Sequence, residues 1–392
     1  MRILVLGGTR FLGRAIVGAA LGRGDTVTLF NRGKTNPGLF PGVETVIGDR
    51  TADLSALDGR EWDTVIDVAA YDPAVVRLSA EAFASKTGRY VFVSTVSVYA
   101  SQATTQDQLE DAPVAQLRPG MEFPESYGPN KALGEWIVRD TYGTRALIAR
   151  PGLIVGPLDP TDRFAYWPRR IARGGRVLAP GDPAGLTQFI DVRDLAAWLA
   201  DACHHERGGV FNLTGTPVPF GILLDVCKTA AYSGAELTWI PSDRLVAAGV
   251  DPGMGVPLWV AEPGYEAFND VDCSRAVAAG LAYRPLIETI RDTLAWDLAR
   301  GGPAPGDEGL TAAAACTPTT GSRTCSALGC TARTGYCRSS RTWRPATRSS
   351  LAPAGRCCGW RSSTPGEPWC STPTTATGSG RSCWRPTARA HG

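Results

Sequence analysis

Tyr127 and Lys131 stand four residues apart in the stretch YGPNK. Side chains at this spacing share one face of a helix, so we expect the Lys131 ammonium to lie near the Tyr127 phenol and to lower its pKa from about 10. Such a phenol can exchange a proton with a substrate. The hydroxyls of Ser94, Thr95 and Ser97 end an apolar run upstream. They are candidates to hydrogen-bond the same substrate oxygen, although small residues also end strands without any such role.

A second candidate site is the stretch GGTRFLG at residues 7–13, which follows an apolar run. Gly7, Gly8 and Gly13 let a phosphate approach the backbone N–H groups and the positive end of the helix that follows, where a Cβ would block it. Arg10 occupies the place where such turns usually have their middle glycine. The pattern predicts a nucleotide-binding turn; a structural turn without ligand is the alternative.

The second apolar run ends in Asn31 and Arg32. In dinucleotide folds a carboxylate at this position binds the adenosine ribose of NAD, whereas an arginine accommodates the additional phosphate of NADP. We predict that Arg10 lies close to Asn31 and Arg32 and that the protein prefers NADP over NAD. The alternative reading of Arg32 is a solvated loop residue.

Short β-branched runs alternate with helical patterns over residues 1–150, and this pattern must position the candidate residues. Apolar strands separated by helices predict a doubly wound α/β fold, in which a parallel sheet is covered on both faces. Ligands bind beyond the carboxyl ends of such strands, where the glycine stretch and Thr95 both fall. The predicted strands span residues 3–6, 26–30, 44–47, 64–67, 90–94, 146–149 and 210–213.

Composition divides the chain into three parts. Residues 1–157 are predicted to form the nucleotide-binding domain, which a segment at about 188–222 rejoins. Residues 158–187 and 223–309 are predicted to form a smaller lobe that closes over the cofactor and selects the substrate. Residues 310–392 are a tail rich in Cys, Arg, Thr and Pro, with too few apolar residues to offset the entropy of ordering it. We expect this tail to be disordered and hypothesise a shifted reading frame, with a genuine basic arm as the alternative.

Charge follows the same division. Residues 311–392 hold eleven Arg and one acidic residue, which leaves 29 basic and 37 acidic residues in the first 310. The acidic body does not favour nucleic-acid binding. No apolar run approaches the roughly 18 residues that span a bilayer, and no secretory signal pattern is present. The spacing of cysteine and histidine predicts no metal site. We therefore predict a cytoplasmic protein that acts on a small-molecule substrate.

Taken together, these stretches resemble the extended short-chain dehydrogenase/reductase superfamily, in the group called NAD-dependent epimerase/dehydratase, over roughly residues 1–305. The motifs that carry the resemblance are GGTRFLG, GDR, DVAAY, VSTVSVYA, YGPNK, RPGLIVGP and QFIDVRDLA. The resemblance implies a Rossmann-type fold, a homodimer, and an NAD(P)-dependent oxidoreductase or epimerase that moves a hydride at a hydroxyl-bearing or carbonyl carbon.

Site residues follow from matching positions. The resemblance implies Thr95 as the catalytic Ser/Thr, Tyr127 as the acid/base, and Lys131 as the group that holds the nicotinamide ribose and tunes the tyrosine. Asp49 matches an adenine-contacting acid. The full set of predicted cofactor-binding residues is Gly7, Gly8, Arg10, Phe11, Leu12, Gly13, Asn31, Arg32, Asp49, Ala69, Ala70, Lys131 and Pro151.

Three departures narrow the expected function. Thr187 and Gln188 stand where sugar-nucleotide members have Arg-Asp, and Gly152 stands where they tend to have Asn, which argues against a UDP-sugar substrate. Arg10 resembles a less typical branch that includes plastid RNA-associated proteins. The alternative function is therefore a non-catalytic protein, NADP-sensing or RNA-associated, on the same fold. Candidate lobe residues are Tyr166, Trp167, Arg169, Arg170 and Trp259.

Overall fold

A computed structural model describes residues 1–205, 207–253 and 256–302 of the chain. The predicted tail at 310–392 lies outside the described residues. In chain order the strands are β1 (Arg2–Leu6), β2 (Thr26–Asn31), β3 (Glu44–Ile47), β4 (Trp62–Asp67), β5 (Thr87–Val93), β6 (Ala146–Pro151), β7 (Leu153–Val155), β8 (Arg176–Pro180), β9 (Leu186–Thr187), β10 (Phe189–Asp191), β11 (Gly209–Leu213), β12 (Val218–Pro219) and β13 (Glu236–Ile240). The helices are α1 (Phe11–Gly22), α2 (Pro73–Phe83), α3 (Tyr127–Tyr142), α4 (Tyr166–Ala172), α5 (Val192–His204), α6 (Phe220–Ala230), α7 (Ser242–Ala247), α8 (Ser274–Ala278) and α9 (Leu286–Ala299).

Seven of the strands form one parallel sheet in the order β3-β2-β1-β4-β5-β6-β11. The chain runs outward from β1 to β3 and then crosses to β4, so the switch point of the fold lies between β1 and β4. Leu6 is in register with Phe30 of β2 and Asp67 of β4, which aligns the carboxyl ends of these strands. The predicted Rossmann-type fold is confirmed, and each predicted strand overlaps an observed one, with bounds that differ by at most three residues.

Helices cover both faces of this sheet because its strands are apolar on both sides. Ile16 of α1 and Leu199 of α5 pack on one face, and Val76 of α2 and Val138 of α3 pack on the other. Local signals fix where the helices begin. For example, the Asp72 carboxylate accepts the backbone N–H of Ala74 at 2.8 Å and caps α2. These helices hold the carboxyl edge of the sheet rigid.

A second core lies in the lobe formed after β6. Its centre is aromatic: the Trp167 ring meets Phe220 edge-on at 5.1 Å between centroids, and Ile290 of α9 belongs to the same cluster. Part of the segment predicted for the lobe packs elsewhere, since Ala276 and Leu281 join the core between the sheet, α1 and α5. None of the helices in the described residues is long and apolar enough to cross a membrane.

Candidate active site

The β1–α1 turn has glycine wherever another residue would collide with its neighbours. Gly7 and Gly8 adopt φ of 117° and 94°, and a Cβ at Gly8 would lie 2.6 Å from a Leu29 methyl. A Cβ at Gly13 would lie 2.8 Å from the backbone N of Gly8. The turn therefore packs its backbone directly against α1. Arg10, at the N-cap of α1, makes no side-chain cap hydrogen bond.

The loop after β2 is fastened to this turn. Asn31 donates from Nδ2 to the Gly7 carbonyl at 3.4 Å and accepts the Gly33 N–H at 2.8 Å. Asn36 donates to the Thr9 carbonyl at 2.8 Å. The amide of Asn31 thus replaces a carboxylate with a group that has no charge and whose hydrogen bonds serve the loop itself.

Basic side chains gather beside this loop. Arg10, Arg32 and Lys34 all line the same cleft, and among the described residues none of the three has a carboxylate within 4.0 Å. Hydrogen bonds from Thr51 lower the pKa of Asp49, and the charges of Arg32 and Lys34 add to that lowering. This end of the cleft is therefore electropositive, and its cations remain available to an anionic ligand.

Beneath it lies a buried ion pair that sequence reasoning missed. Arg50 donates two hydrogen bonds of 2.6 Å to Asp67, the last residue of β4, and Tyr90 donates a third at 2.9 Å. Burial alone would raise the pKa of Asp67, but the Arg50 charge and these hydrogen bonds bring it below its ordinary value. Both residues lie within quoted motifs, yet only their convergence in space identifies the pair.

The three predicted catalytic residues meet at the carboxyl end of β5. Thr95 follows this strand and accepts the Ser97 N–H at 3.1 Å. Tyr127 opens α3, which approaches so closely that a Cβ at Gly128 would lie 2.1 Å from the Ser97 carbonyl oxygen. The Thr95 hydroxyl lies close enough to the Tyr127 phenol to oppose the rise in its pKa. Glycine at position 128 is therefore what brings the phenol to the strand end.

Lys131 does not lower the pKa of Tyr127 in this structure, so that expectation was wrong. Burial raises the pKa of the phenol, and only Thr95 and Arg163 oppose it. The Lys131 ammonium donates instead to the Val93 carbonyl at 2.8 Å and lies 4.9 Å from the centroid of the Tyr71 ring. Burial also lowers the pKa of Lys131 to about 8. The ammonium is thus held beneath the cleft by the strand.

Two neighbouring positions also differ from expectation. The Ser94 hydroxyl donates to Glu135 at 2.5 Å, and Glu135 in turn accepts a hydrogen bond of 2.6 Å from Arg150. Ser94 lines the cleft, but its hydroxyl donates into a buried polar network. Ala70, predicted to bind cofactor, is 1% exposed and packs in the core under α2, because the turn after β4 directs Ala69 to the cleft instead.

One cleft of about 1270 Å³ joins these groups. It begins at the glycine turn, crosses the ends of β1, β4 and β5, and continues along the lobe. Apart from Ala70, every predicted catalytic and cofactor-binding residue lines it, so the structure brings them together. They are Thr95, Tyr127, Lys131, Gly7, Gly8, Arg10, Phe11, Leu12, Gly13, Asn31, Arg32, Asp49, Ala69 and Pro151.

The glycine cradle fits a dinucleotide cofactor. A Cβ at any of its three glycines would collide with the neighbouring protein, so glycine is required for the backbone to take this path. Helix α1 begins directly after the turn, and Arg10 and Arg32 line the same cleft. Gly7, Gly8 and Gly13 would hold the pyrophosphate, Arg32 would contact the adenosine end, and Lys131 would reach the ribose nearest Tyr127.

At the positions where this chain differs from sugar-nucleotide members, the residues make structural contacts. Gln188 donates to the carbonyls of Gly215 at 2.8 Å and Val271 at 2.9 Å, and accepts the Val271 N–H. A Cβ at Gly152 would lie 2.6 Å from the Thr214 hydroxyl oxygen. Gln188 is therefore fully engaged by the backbone, and Thr214 leaves no room for a side chain at position 152.

Of the candidate lobe residues, only Trp259 lines the cleft. Tyr166 and Trp167 are buried in the lobe core, and Arg169 pairs with Asp162 and Asp297. Sequence reasoning missed Asp159 and Arg163, which line the cleft from the segment between β7 and α4. Their signal was the charged stretch DPTDR, which by itself does not say which carboxylate faces a cavity.

Comparisons with known proteins agree with the fold. The family model described as "NAD dependent epimerase/dehydratase family" matches residues 3–214. The enzyme WbmH of Bordetella bronchiseptica, solved with NAD+, is 20% identical with a TM-score of 0.57, over 76% of this chain and 99% of that one. UDP-glucose 4-epimerase of Thermotoga maritima, solved with UDP-glucose, is 18% identical with a TM-score of 0.58, over the same shares of the two chains. At these identities the likeness shows the fold.

A curated relative adds a second kind of protein. The chloroplast stem-loop binding protein of 41 kDa b of Arabidopsis thaliana is 25% identical over 253 residues, which are 58% of this chain. The chain spans 63% of the length of that relative. The family match covers more than half of the chain and includes the glycine turn, Thr95, Tyr127 and Lys131. The chain therefore belongs to the NAD-dependent epimerase/dehydratase family.

Proposed function

We propose that this protein is an NADP-dependent oxidoreductase or epimerase acting on a small-molecule alcohol or ketone. The observation that carries the proposal is one cleft in which Thr95, Tyr127 and Lys131 lie beyond β5 while the glycine turn lies beyond β1. A cofactor-binding protein without catalysis has no need for a buried phenol at that point. NAD-bound epimerases and dehydratases share the fold, which supports a nicotinamide cofactor.

Bound nicotinamide supplies or accepts the hydride. Tyr127 exchanges the proton with the substrate oxygen, and Thr95 hydrogen-bonds the same oxygen and orients it. The raised pKa of Tyr127 keeps its proton on the phenol at neutral pH, so the residue begins as a proton donor to a carbonyl. Lys131, anchored on the Val93 carbonyl, would hold the hydroxyls of the nicotinamide ribose.

The NADP preference is supported by charge. A 2′-phosphate carries about two negative charges near neutral pH, and Arg10, Arg32 and Lys34 border the end of β2 without carboxylate partners among the described residues. Asn31 removes the carboxylate that would repel this phosphate.

Titration of NADPH and NADH into the wild type, Arg10→Gly and Arg32→Ala tests this preference. We expect the wild type to bind NADPH at least about tenfold more tightly, and each variant to lose most of that difference while its NADH affinity is unchanged. Arg173→Ala, an exposed arginine outside the cleft, is the control. Equal affinities for both nucleotides in all four proteins would contradict the role given to Arg10 and Arg32.

The second candidate function is a non-catalytic, NADP-sensing or RNA-associated protein. The name of the Arabidopsis relative, a stem-loop binding protein, favours it. Assaying Tyr127→Phe for both turnover and binding of a stem-loop RNA separates the two. Loss of turnover with unchanged RNA binding supports the enzyme; RNA binding without turnover in the wild type supports the alternative. The cytoplasmic location and the homodimer stay predictions from sequence.

A further inference from the structure

The far half of the cleft is apolar and aromatic. We call Leu153, Leu258, Trp259, Val260, Tyr265 and Phe268, which all line it, the lobe wall. Leu153 follows β6, and the other five lie in the segment between α7 and α8. A wall of this composition gains free energy by burying apolar substrate surface.

The lobe wall is held in place by hydrogen bonds. The Trp259 indole N–H donates to the Ser242 hydroxyl at 3.1 Å, and this side chain is 5% exposed. The chain between Tyr265 and Phe268 is fastened at Ala267, whose N–H donates to the Gln102 carbonyl at 3.0 Å and whose carbonyl accepts from Gln108 at 2.7 Å. The aromatic surfaces are therefore already arranged before a ligand arrives.

The charges beside this wall do not suit a diphosphate. Among the described residues that line the cleft from position 152 onward, Arg163 is the only cation, while Asp159 and Glu262 are acidic. Gln188, which could have donated to a phosphate, is engaged by the backbone. The free cations at the end of β2 are three strand spacings from β5, or about 14 Å. This part of the lining therefore offers a single cation to balance a group with two negative charges.

Asp159 adds a polar contact for a neutral ligand. Its side chain is buried, Oδ1 accepts from Thr161, and Oδ2 has no partner among the described residues. A buried carboxyl oxygen without a partner is unfavourable unless a hydroxyl or amide of a ligand pairs with it. Burial also raises the pKa of Asp159.

We infer that the lobe wall binds the ring of an uncharged aromatic or alicyclic ketone or alcohol, and not a nucleoside diphosphate sugar. The ring packs on Trp259 and Tyr265, which leaves its oxygen-bearing carbon in front of Tyr127. This inference rests on the proposed function, because it names the substrate class of the same site.

The test is binding to the full-length protein saturated with NADP+, which carries no hydride to transfer. The probes are 2-tetralone, cyclohexanone and UDP-glucose, and calorimetry measures the affinity of each. We expect 2-tetralone to bind at least about tenfold more tightly than UDP-glucose, with cyclohexanone between them because it buries less area. UDP-glucose binding as tight as or tighter than 2-tetralone, or no binding of either ketone, would overturn the inference.

Variants locate the binding at the wall. Tyr265→Ala removes a side chain that is 47% exposed, so it tests the contact without disturbing the core, and we expect it to weaken 2-tetralone binding about three- to tenfold. Trp259→Ala should weaken it more. Tyr232→Ala, 90% exposed and outside the cleft, is the matched control and should change nothing. Unchanged affinity in both wall variants would overturn the assignment.

A charge reversal tests the electrostatic half of the argument. Glu262→Lys should raise the affinity for UDP-glucose about three- to tenfold and leave that for 2-tetralone within twofold; no gain for UDP-glucose would contradict it.

NADPH titration of the same preparations separates the two proposals. A wild type that does not bind NADPH would contradict the proposed function. Retained NADPH binding together with a preference for UDP-glucose contradicts this inference alone.

Discussion

At the scale of the residue, the ionisation of the buried Lys131 ammonium makes the stability of the protein depend on pH. Its pKa of about 8 in the folded protein lies below its ordinary value of 10.5. Below pH 8 both folded and unfolded chains carry the charge, so the fold bears a constant burial cost. Between pH 8 and 10.5 the folded protein has released the proton that the unfolded chain still holds. The free energy of unfolding contributed by this group therefore rises with pH across that window.

Lys131→Met should thus be more stable than the wild type at pH 7, by about 2 kcal/mol once the lost hydrogen bond to Val93 is subtracted. This advantage should shrink as the pH rises from 8 to 10.5. Urea denaturation at several pH values measures it, and Lys228→Met, a lysine near the surface of α6, is the control. A stability difference that is the same at every pH would contradict the burial argument.

Tyr127 is the second residue whose role can be isolated. Tyr127→Phe removes the phenol oxygen but keeps the ring. We expect turnover to fall by about 10²- to 10⁴-fold, while NADPH affinity changes less than twofold, because the phenol acts on the substrate oxygen. Tyr232→Phe serves as the exposed control. Turnover within tenfold of the wild type would show that another group carries the proton.

At the scale of the element, the β1–α1 turn depends on close contact between the backbones of Gly8 and Gly13. Gly13→Ala places a Cβ 2.8 Å from the Gly8 nitrogen, which must move the turn or α1. We expect a loss of about 1–3 kcal/mol in the free energy of unfolding and at least tenfold weaker NADPH binding. Gly18→Ala lies on the same helix with nothing within 4 Å of its Cβ, and should stabilise by about 0.5–1 kcal/mol. If Gly13→Ala bound NADPH as tightly as Gly18→Ala and the wild type do, the turn would not be the cofactor cradle.

At the scale of the whole molecule, buried charges tie the lobe helices to the segment that carries Asp159 and Arg163. Arg169 of α4 donates to Asp297 of α9 at 2.8 Å and also to Asp162, which holds a φ of 55°. Arg300 reaches the same two carboxylates. The position of the cleft's substrate side therefore depends on α9, more than a hundred residues further along the chain.

Asp297→Asn should lower the free energy of unfolding by about 3 kcal/mol, because it leaves a buried arginine short of a counter-charge. Asp292→Asn, whose carboxylate is 48% exposed on the same helix and pairs with Arg193, should cost less than about 1 kcal/mol. Denaturation of both variants measures the contrast. Similar losses in the two would mean that the buried network does not anchor the lobe.

The sequence by itself determined the strands of the sheet, the glycine turn and the group of residues around Tyr127. Strand periodicity, glycines where a Cβ has no room, and the spacing of Tyr127 and Lys131 are local signals, and local sterics decide them. The pKa of Tyr127 and the core position of Ala70 did not follow, because burial and the direction of a turn after β4 are set by the packed structure.

Only the tertiary structure decided which charges meet. Arg50 and Asp67 are separated by other elements, as are Arg169 and Asp297, and no periodicity relates them. The same holds for the lobe wall, where Trp259 and Tyr265 face the end of a strand more than a hundred residues earlier. Substrate class also depends on the tertiary structure. The glycine turn of the cofactor end is contiguous in the sequence, whereas the substrate end combines distant segments that share a surface only in the folded protein.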